Sequence, residues 1–151
     1  MPQSLSRILI HTIFSTKNRE PFLRVSGVRT SMHGELGGIA KKLECNPIMI
    51  GGVEDHVHLL TTLSRTCKPA EFVKEVKRAS SIWIKEEFEG YGRFQWQSGY
   101  GCFSIGQSQV EEICDYIANQ EEHHKRVSFQ DEFRTFLRQH EIEYDERYVW
   151  D

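Results

Sequence analysis

The 151-residue chain has no apolar run approaching the ~20 residues that a membrane-spanning helix needs. Its four cysteines, Cys45, Cys67, Cys102 and Cys114, form no Cys-x-x-Cys pair. That spacing supports neither a zinc knuckle nor a redox pair, so reduced thiols filling core and near-surface positions are expected. Internal repeats, low-complexity tracts and Pro/Gly-rich linkers are also missing, which predicts one domain over 1–151, a core over 1–126 and a tail over 127–151. No G-x-x-x-x-G-K-[ST] phosphate loop occurs, in keeping with chemistry that consumes no nucleotide. The first residues, MPQSLSRILIHTIFS, lack a basic n-region, and His11 interrupts their apolar stretch. They read as a mature first strand and not as a signal peptide, which predicts a cytoplasmic protein.

What is present is an ordinary globular composition, 38% apolar and 27% charged. The net charge of −3 is unevenly spread: +4 over 1–45, neutral over 46–110 and −7 over 111–151. An even acidic coat would argue against a nucleic-acid partner; a basic half joined to an acidic tail permits one.

Leu5 to Ser15, rich in Ile and Thr, reads as a buried strand. Val28, Met32, Leu36, Ile39 and Leu43 then recur at helical spacing, although Gly34, Gly37 and Gly38 weaken a helix there. Pro47-Ile-Met-Ile and His56 to Leu63 predict two strands joined as a hairpin. Pro69 opens a second helix with an apolar stripe at Phe72, Val76, Ala79 and Trp83. Phe94 to Ile105 is the last strand region, and Ser108 with Glu111 forms a capping box for a third helix, buried at Val110, Ile113 and Ile117. A short helix and a tail anchored by Phe129, Phe133, Phe136, Tyr148 and Trp150 complete the chain. The order β-α-β-β-α-β plus one helix predicts an α+β, ferredoxin-like antiparallel sheet with helices on one face and an extra C-terminal helix. Its second face must be used or covered.

Two clusters can carry chemistry. His56 and His58 lie two apart on a strand and so share a face, where they can hold half of a divalent-metal site, or simply be polar residues in solvent. On the third helix Tyr116 and Gln120 share a polar face with Asn119 and His123, which an ordinary surface tyrosine would also satisfy. His123 and His124 can be ligands or partners of a helix dipole. A metal held by imidazoles and a neutral amide keeps its charge and can polarise a phosphate, which would make a phenol competent as nucleophile. On the second helix Lys74, Lys77, Arg78 and Lys85 form a row that can track phosphates or be a solvated face, with Glu71, Glu75 and Glu86 interspersed. Arg7, Lys17, Arg19, Arg24 and Arg29 are further candidates for phosphate contact.

The segments DHVHLL and YIANQEEHH, with WQSGYGCFSIGQS before the helix and IEYDERYVW in the tail, resemble the single-tyrosine HUH transposases of the IS-two-hundred/IS-six-hundred-and-five insertion sequences. The resemblance implies that His56, His58 and Gln120 bind Mg²⁺ or Mn²⁺ and that Tyr116 is the nucleophile. It further implies a 5′-phosphotyrosine intermediate with a free 3′-OH, single-stranded DNA hairpins at element ends as substrate, and a homodimer with active sites shared between protomers. A domesticated relative acting on host repeat hairpins would carry the same residues. A non-catalytic RNA-recognition module is disfavoured, because its strand aromatics are replaced here by His-x-His.

Overall fold

The computed structural model describes residues 2–151. Four strands, β1 (Leu9–Ser15), β2 (Pro47–Gly52), β3 (His56–Thr62) and β4 (Gly101–Ile105), form one antiparallel sheet in the order β2-β3-β1-β4. Between them run α1 (Ser26–Lys42) and α2 (Pro69–Glu87). This is the ferredoxin-like α+β arrangement that the element order predicts.

Alternation along β1 and β3 decides what each face of the sheet carries. Ile10, Phe14, Val57 and Leu59 join α1 and α2 in the larger core. In α1 the buried Val28, Met32, Leu36 and Ile39 outweigh the glycines. A buried aliphatic side chain contributes roughly 1.5–3 kcal/mol, against about 1 kcal/mol lost per helical glycine. In α2 the buried row is Phe72, Val73, Val76, Ser80 and Ile84, so it is rotated from the expected Ala79 and Trp83, which are only partly buried. Ser80 tolerates burial because its Oγ accepts from Trp96 Nε1 at 2.9 Å and donates to the Val76 carbonyl at 2.7 Å.

The opposite face of the sheet presents His11, Ile13, His56 and His58, and it is covered. Three helices do this, α3 (Val110–Ala118), α4 (Gln120–His123) and α5 (Phe129–Gln139). Ile13 and Phe103 form a second core with Phe129, Phe133, Phe136 and Leu137 of α5. Two glycines permit the close fit. A Cβ on Gly51 of β2 would lie 2.8 Å from the Ile117 side chain and carbonyl in α3, and one on Gly101 of β4 would lie 2.6 Å from the Phe133 ring in α5.

Three local expectations are corrected. Only Gly101–Ile105 of the 94–105 region is strand; before it, Trp96 makes a single bridge to Thr16. The turn before α3 is closed by Gln109, whose Oε1 accepts from Gly106 N–H at 2.9 Å, so Ser108 does not cap the helix. In the tail, Trp150 packs on Phe129 and Phe133, whereas Tyr148 is exposed. The four cysteines are free thiols. Among the described residues no helix is long and apolar enough to cross a membrane.

Candidate active site

His56 and His58 point from β3 into the layer between the sheet and α3–α5, and both are fully buried. Buried imidazoles need partners at both nitrogens, and each has them. His56 Nδ1 lies 2.8 Å from the Asp55 carboxylate and its Nε2 lies 3.1 Å from Gln120 Oε1. A carboxylate only accepts, so Nδ1 of His56 carries a proton. His58 Nδ1 lies 2.8 Å from Nε2 of His11, and its own Nε2 lies 3.0 Å from Glu132 Oε1. A third ring, His124, donates from Nδ1 to the Val127 carbonyl at 2.7 Å and turns Nε2 toward Gln120 and Glu132, at 2.9 and 3.1 Å. All three rings therefore turn Nε2 into one point and fasten Nδ1 behind it.

The third helix differs from the expected continuous polar face. It ends at Asn119, and Gln120 begins α4. Gln120 is buried and Tyr116 partly so, which removes both from an ordinary solvated surface. The Tyr116 hydroxyl donates to Glu132 Oε2 and lies 3.1 Å from His123 Nε2. A cleft of about 330 Å³, lined by Tyr116, His123, Glu132, Thr135, Phe136 and Gln139, lies beside this hydroxyl. On the adjoining rim Glu112, Asp115 and Glu122 face a single Arg126.

Glu132 sits at the centre of this arrangement, and reading the sequence did not single it out. One signal was there: in α5, Phe129, Glu132, Phe133 and Phe136 share the buried face, and a carboxylate at i+3 from one phenylalanine and i−4 from another seldom goes unpaired. Donor atoms of His56, His58, His124 and Glu132 all lie within 4.8 Å of one another. Cis ligands of an octahedral ion at ~2.1 Å would stand ~3.0 Å apart. The separations of 3.0 Å for His58–Glu132, 3.1 Å for His56–Gln120 and 3.5 Å for His56–Glu132 are close to that spacing.

Residues 4–120 match the family described as Transposase IS200 like. The chain belongs to the IS200-like transposases. Two solved structures resemble this transposase. One is a candidate transposase from Deinococcus radiodurans R1, 25% identical, covering 80% of this chain and 95% of that one at a TM-score of 0.63. The other is a REP-associated tyrosine transposase bound to a REP hairpin, 14% identical, covering 84% of this chain and 76% of that one at 0.59, a likeness of fold. No curated protein sequence matches the chain. The family match includes His56, His58 and Tyr116 and ends on Gln120; His123, His124 and Glu132 lie past it.

The electrostatics of the transposase cluster follow from burial and from Glu132. Burial lowers the His56 imidazole, but hydrogen bonds and charge from Asp55 and Glu132 outweigh it and lift His56 to about 9. His58, fully buried and beside His56 and His124, is pushed below its ordinary value despite Glu132. Burial would raise the Glu132 carboxyl, yet the bonds from His124, His56 and His58 hold it well below the carboxylate range. Burial and the Glu132 charge raise the Tyr116 phenol above its ordinary value.

The basic row of α2 lies across the sheet from this cluster. Lys74 and Lys85 are exposed, and Arg78 is engaged by Glu75 at 2.5 and 3.0 Å. Lys77 departs most from its expected role. Its ammonium donates to the carbonyls of Gln97, Ser98 and Gly99 at 2.8, 3.3 and 2.6 Å, so it clamps a loop and has no donor left for phosphate. Burial lowers it to about 8.

Proposed function

We propose that this IS200-like transposase cuts and rejoins single-stranded DNA by transesterification, with Tyr116 as nucleophile. A divalent cation, Mg²⁺ or Mn²⁺, is held by His56, His58 and Gln120 together with Glu132 and His124. One observation carries the reading: the Tyr116 hydroxyl and the Nε2 atoms of His56 and His58 converge on the same buried carboxylate. The donor set fits such an ion, since imidazole, carboxylate and amide oxygen suit first-row and hard divalent cations, and their separations are near those of cis ligands. When bound, the cation supplies Lewis-acid stabilisation to a phosphate oxygen.

The chain's own residues do the rest. Asp55, His11 and the Val127 carbonyl fix three ring orientations, leaving Nε2 inward in each. Glu132 and His123 hold the Tyr116 oxygen in place. The aromatic layer of Phe129 and Phe136 keeps bulk water from the histidines. In the reaction Tyr116 Oη forms a bond to phosphorus as the bond to the 3′-oxygen breaks. The phenol proton passes toward Glu132 Oε2, to which the hydroxyl already donates, and the departing 3′-oxygen takes up one proton from solvent to become the free 3′-OH. One phosphodiester replaces another, so rejoining needs no nucleotide.

The substrate is proposed to be hairpin-bearing single-stranded DNA at insertion-sequence ends, handled in the cytoplasm. The motif resemblance supports this, as does a protein of the same fold having been captured with a REP hairpin. Lys85, Lys74 and Arg78 are proposed to contact its backbone, with Arg78 first released from Glu75. The resemblance implies a homodimer with shared sites, but one chain here assembles Tyr116, Gln120, His56 and His58 by itself. We therefore assign a self-contained site to each protomer.

The test is to incubate the protein with end-labelled single-stranded DNA from its own element ends. Mg²⁺-dependent products with an extendable 3′-OH and a 5′ end blocked to kinase and exonuclease are expected. Products with two free ends, or equal cleavage in EDTA, would refute the mechanism.

A further inference from the structure

His11 is the one titratable residue of β1, and it is fully buried. It pairs in register with Leu60 on β3 and Phe103 on β4, and its ring meets Phe136 edge-on at 5.2 Å. Neither of these cross-strand neighbours nor Phe136 calls for an imidazole. Its sole side-chain hydrogen bond is Nε2 to His58 Nδ1 at 2.8 Å, and its own Nδ1 has no partner.

The proton order along this pair is decided by what faces His58 Nε2. With Glu132 Oε1 there, a neutral His58 must carry its proton on Nε2 to donate to the carboxylate. Its Nδ1 is then a lone pair, and His11 must donate from Nε2. A cation at the same place needs the lone pair on Nε2 instead. His58 then carries its proton on Nδ1, and His11 Nε2 must accept it, with the His11 proton moved to Nδ1. His56 and His124 need no such change at Nδ1, because each is fastened to an oxygen that only accepts.

We infer that His11 is a positioning residue for the cation site: it accepts from His58 Nδ1 in the loaded protein, and loading inverts the tautomers of both rings. An imidazole suits this position because it can donate in one state and accept in the other. The inference rests on the proposed cation site. No atom leaves the pair; each ring keeps one proton and changes the nitrogen that bears it.

The test compares Mn²⁺ affinity by calorimetry in wild type, His11→Phe and His11→Gln, with melting in EDTA as the check on folding. Phenylalanine keeps the ring against Phe136 but accepts nothing, and a roughly 10–100-fold loss of affinity is expected, the usual effect of removing a partner behind a ligand. Glutamine accepts through Oε1, so His11→Gln should restore most of the affinity. Nitrogen-15 spectra of the wild type should show His11 and His58 protonated at Nε2 without metal and at Nδ1 with saturating Mg²⁺. Wild-type protein that binds neither cation overturns the cation site itself. Wild type that binds while His11→Phe binds equally well, or while His11 keeps its tautomer, overturns the role of His11 alone. If His11→Phe fails to fold, the glutamine variant and the wild-type spectra still decide.

Discussion

Glu132 Oε1 lies 3.0 Å from Nε2 of His58, a residue 74 positions earlier in the chain. The contact exists because α5 is pressed on the sheet by Phe129, Phe133 and Phe136, which leaves Glu132 almost wholly buried. A lone buried carboxylate would be neutralised by protonation; this one stays ionised because imidazoles surround it. Glu132 therefore binds the C-terminal helix to the histidine strand electrostatically.

Removing Glu132 should be costly in two separable ways. Glu132→Ala leaves a raised, buried His56 without its central counter-charge, and a loss of about 3–5 kcal/mol in denaturant unfolding is expected without metal. Glu132→Gln keeps shape and hydrogen bonds, so its unfolding should change less. Its Mn²⁺ affinity should still fall at least tenfold in calorimetry. Wild-type affinity in the glutamine variant would remove Glu132 from the ligand set.

The metal-free protein should lose stability as pH rises from neutrality. His56 is lifted to about 9, above the ~6.5 of an unfolded chain. A raised native value gives stability that is complete below ~6.5 and lost as pH climbs through the native value. The difference is on the order of 3 kcal/mol. The melting temperature in EDTA should accordingly fall between about pH 6.5 and 9, whereas the Glu132 contribution is lost only on acidification below ~4.3. Mn²⁺ must displace the His56 proton, so binding should release protons and tighten with pH. A melting temperature that is flat across this range would contradict the assigned charge on His56.

Lys77 and Lys85 should behave differently although both belong to one basic row. Lys77→Met removes a clamp on three carbonyls and should cost about 1–3 kcal/mol of stability. Lys85→Ala should leave stability within ~0.5 kcal/mol. It should also flatten the salt dependence of single-stranded DNA binding by about 0.7 in log–log slope, the share of one phosphate contact. The reverse pattern would move the DNA surface away from exposed α2.

Mixing His56→Ala with Tyr116→Phe protein should not restore cleavage. With the self-contained site proposed for each protomer, every site in the mixture lacks one essential group. Recovery toward half of wild-type activity, with subunit exchange verified by mass spectrometry, would show that sites are shared between protomers.

Much of the fold was legible because its signals are local. Period-two alternation around His56 and His58, and the 3.6-residue spacing in α1, survive whatever packs on them. The rotation of the α2 stripe was not legible: it buries Ser80, whose partner Trp96 lies 16 residues away and is not visible in the helix's own sequence. In the candidate site, the positions within a strand or a helix turn of each other could be paired in advance. Glu132 and His11 could not, because their partners are set by how α5 and β1 dock, whereas His124 stood open as either a ligand or a dipole partner until that docking turned it inward. The break at Asn119 had no visible signal either, as neither glycine nor proline marks it.

The most direct measurement is the residue at which DNA becomes attached. Protein incubated with its hairpin-bearing single-stranded ends and Mg²⁺ should yield an adduct that survives denaturation. After protease and nuclease digestion, mass spectrometry should find the nucleotide remnant on the peptide containing Tyr116. Tyr116→Phe loses only a hydroxyl from the cleft, so it should bind the hairpin nearly as well and form no adduct. An adduct of wild-type yield in that variant, or a remnant mapped to Tyr91, Tyr100 or Tyr144, would contradict the account.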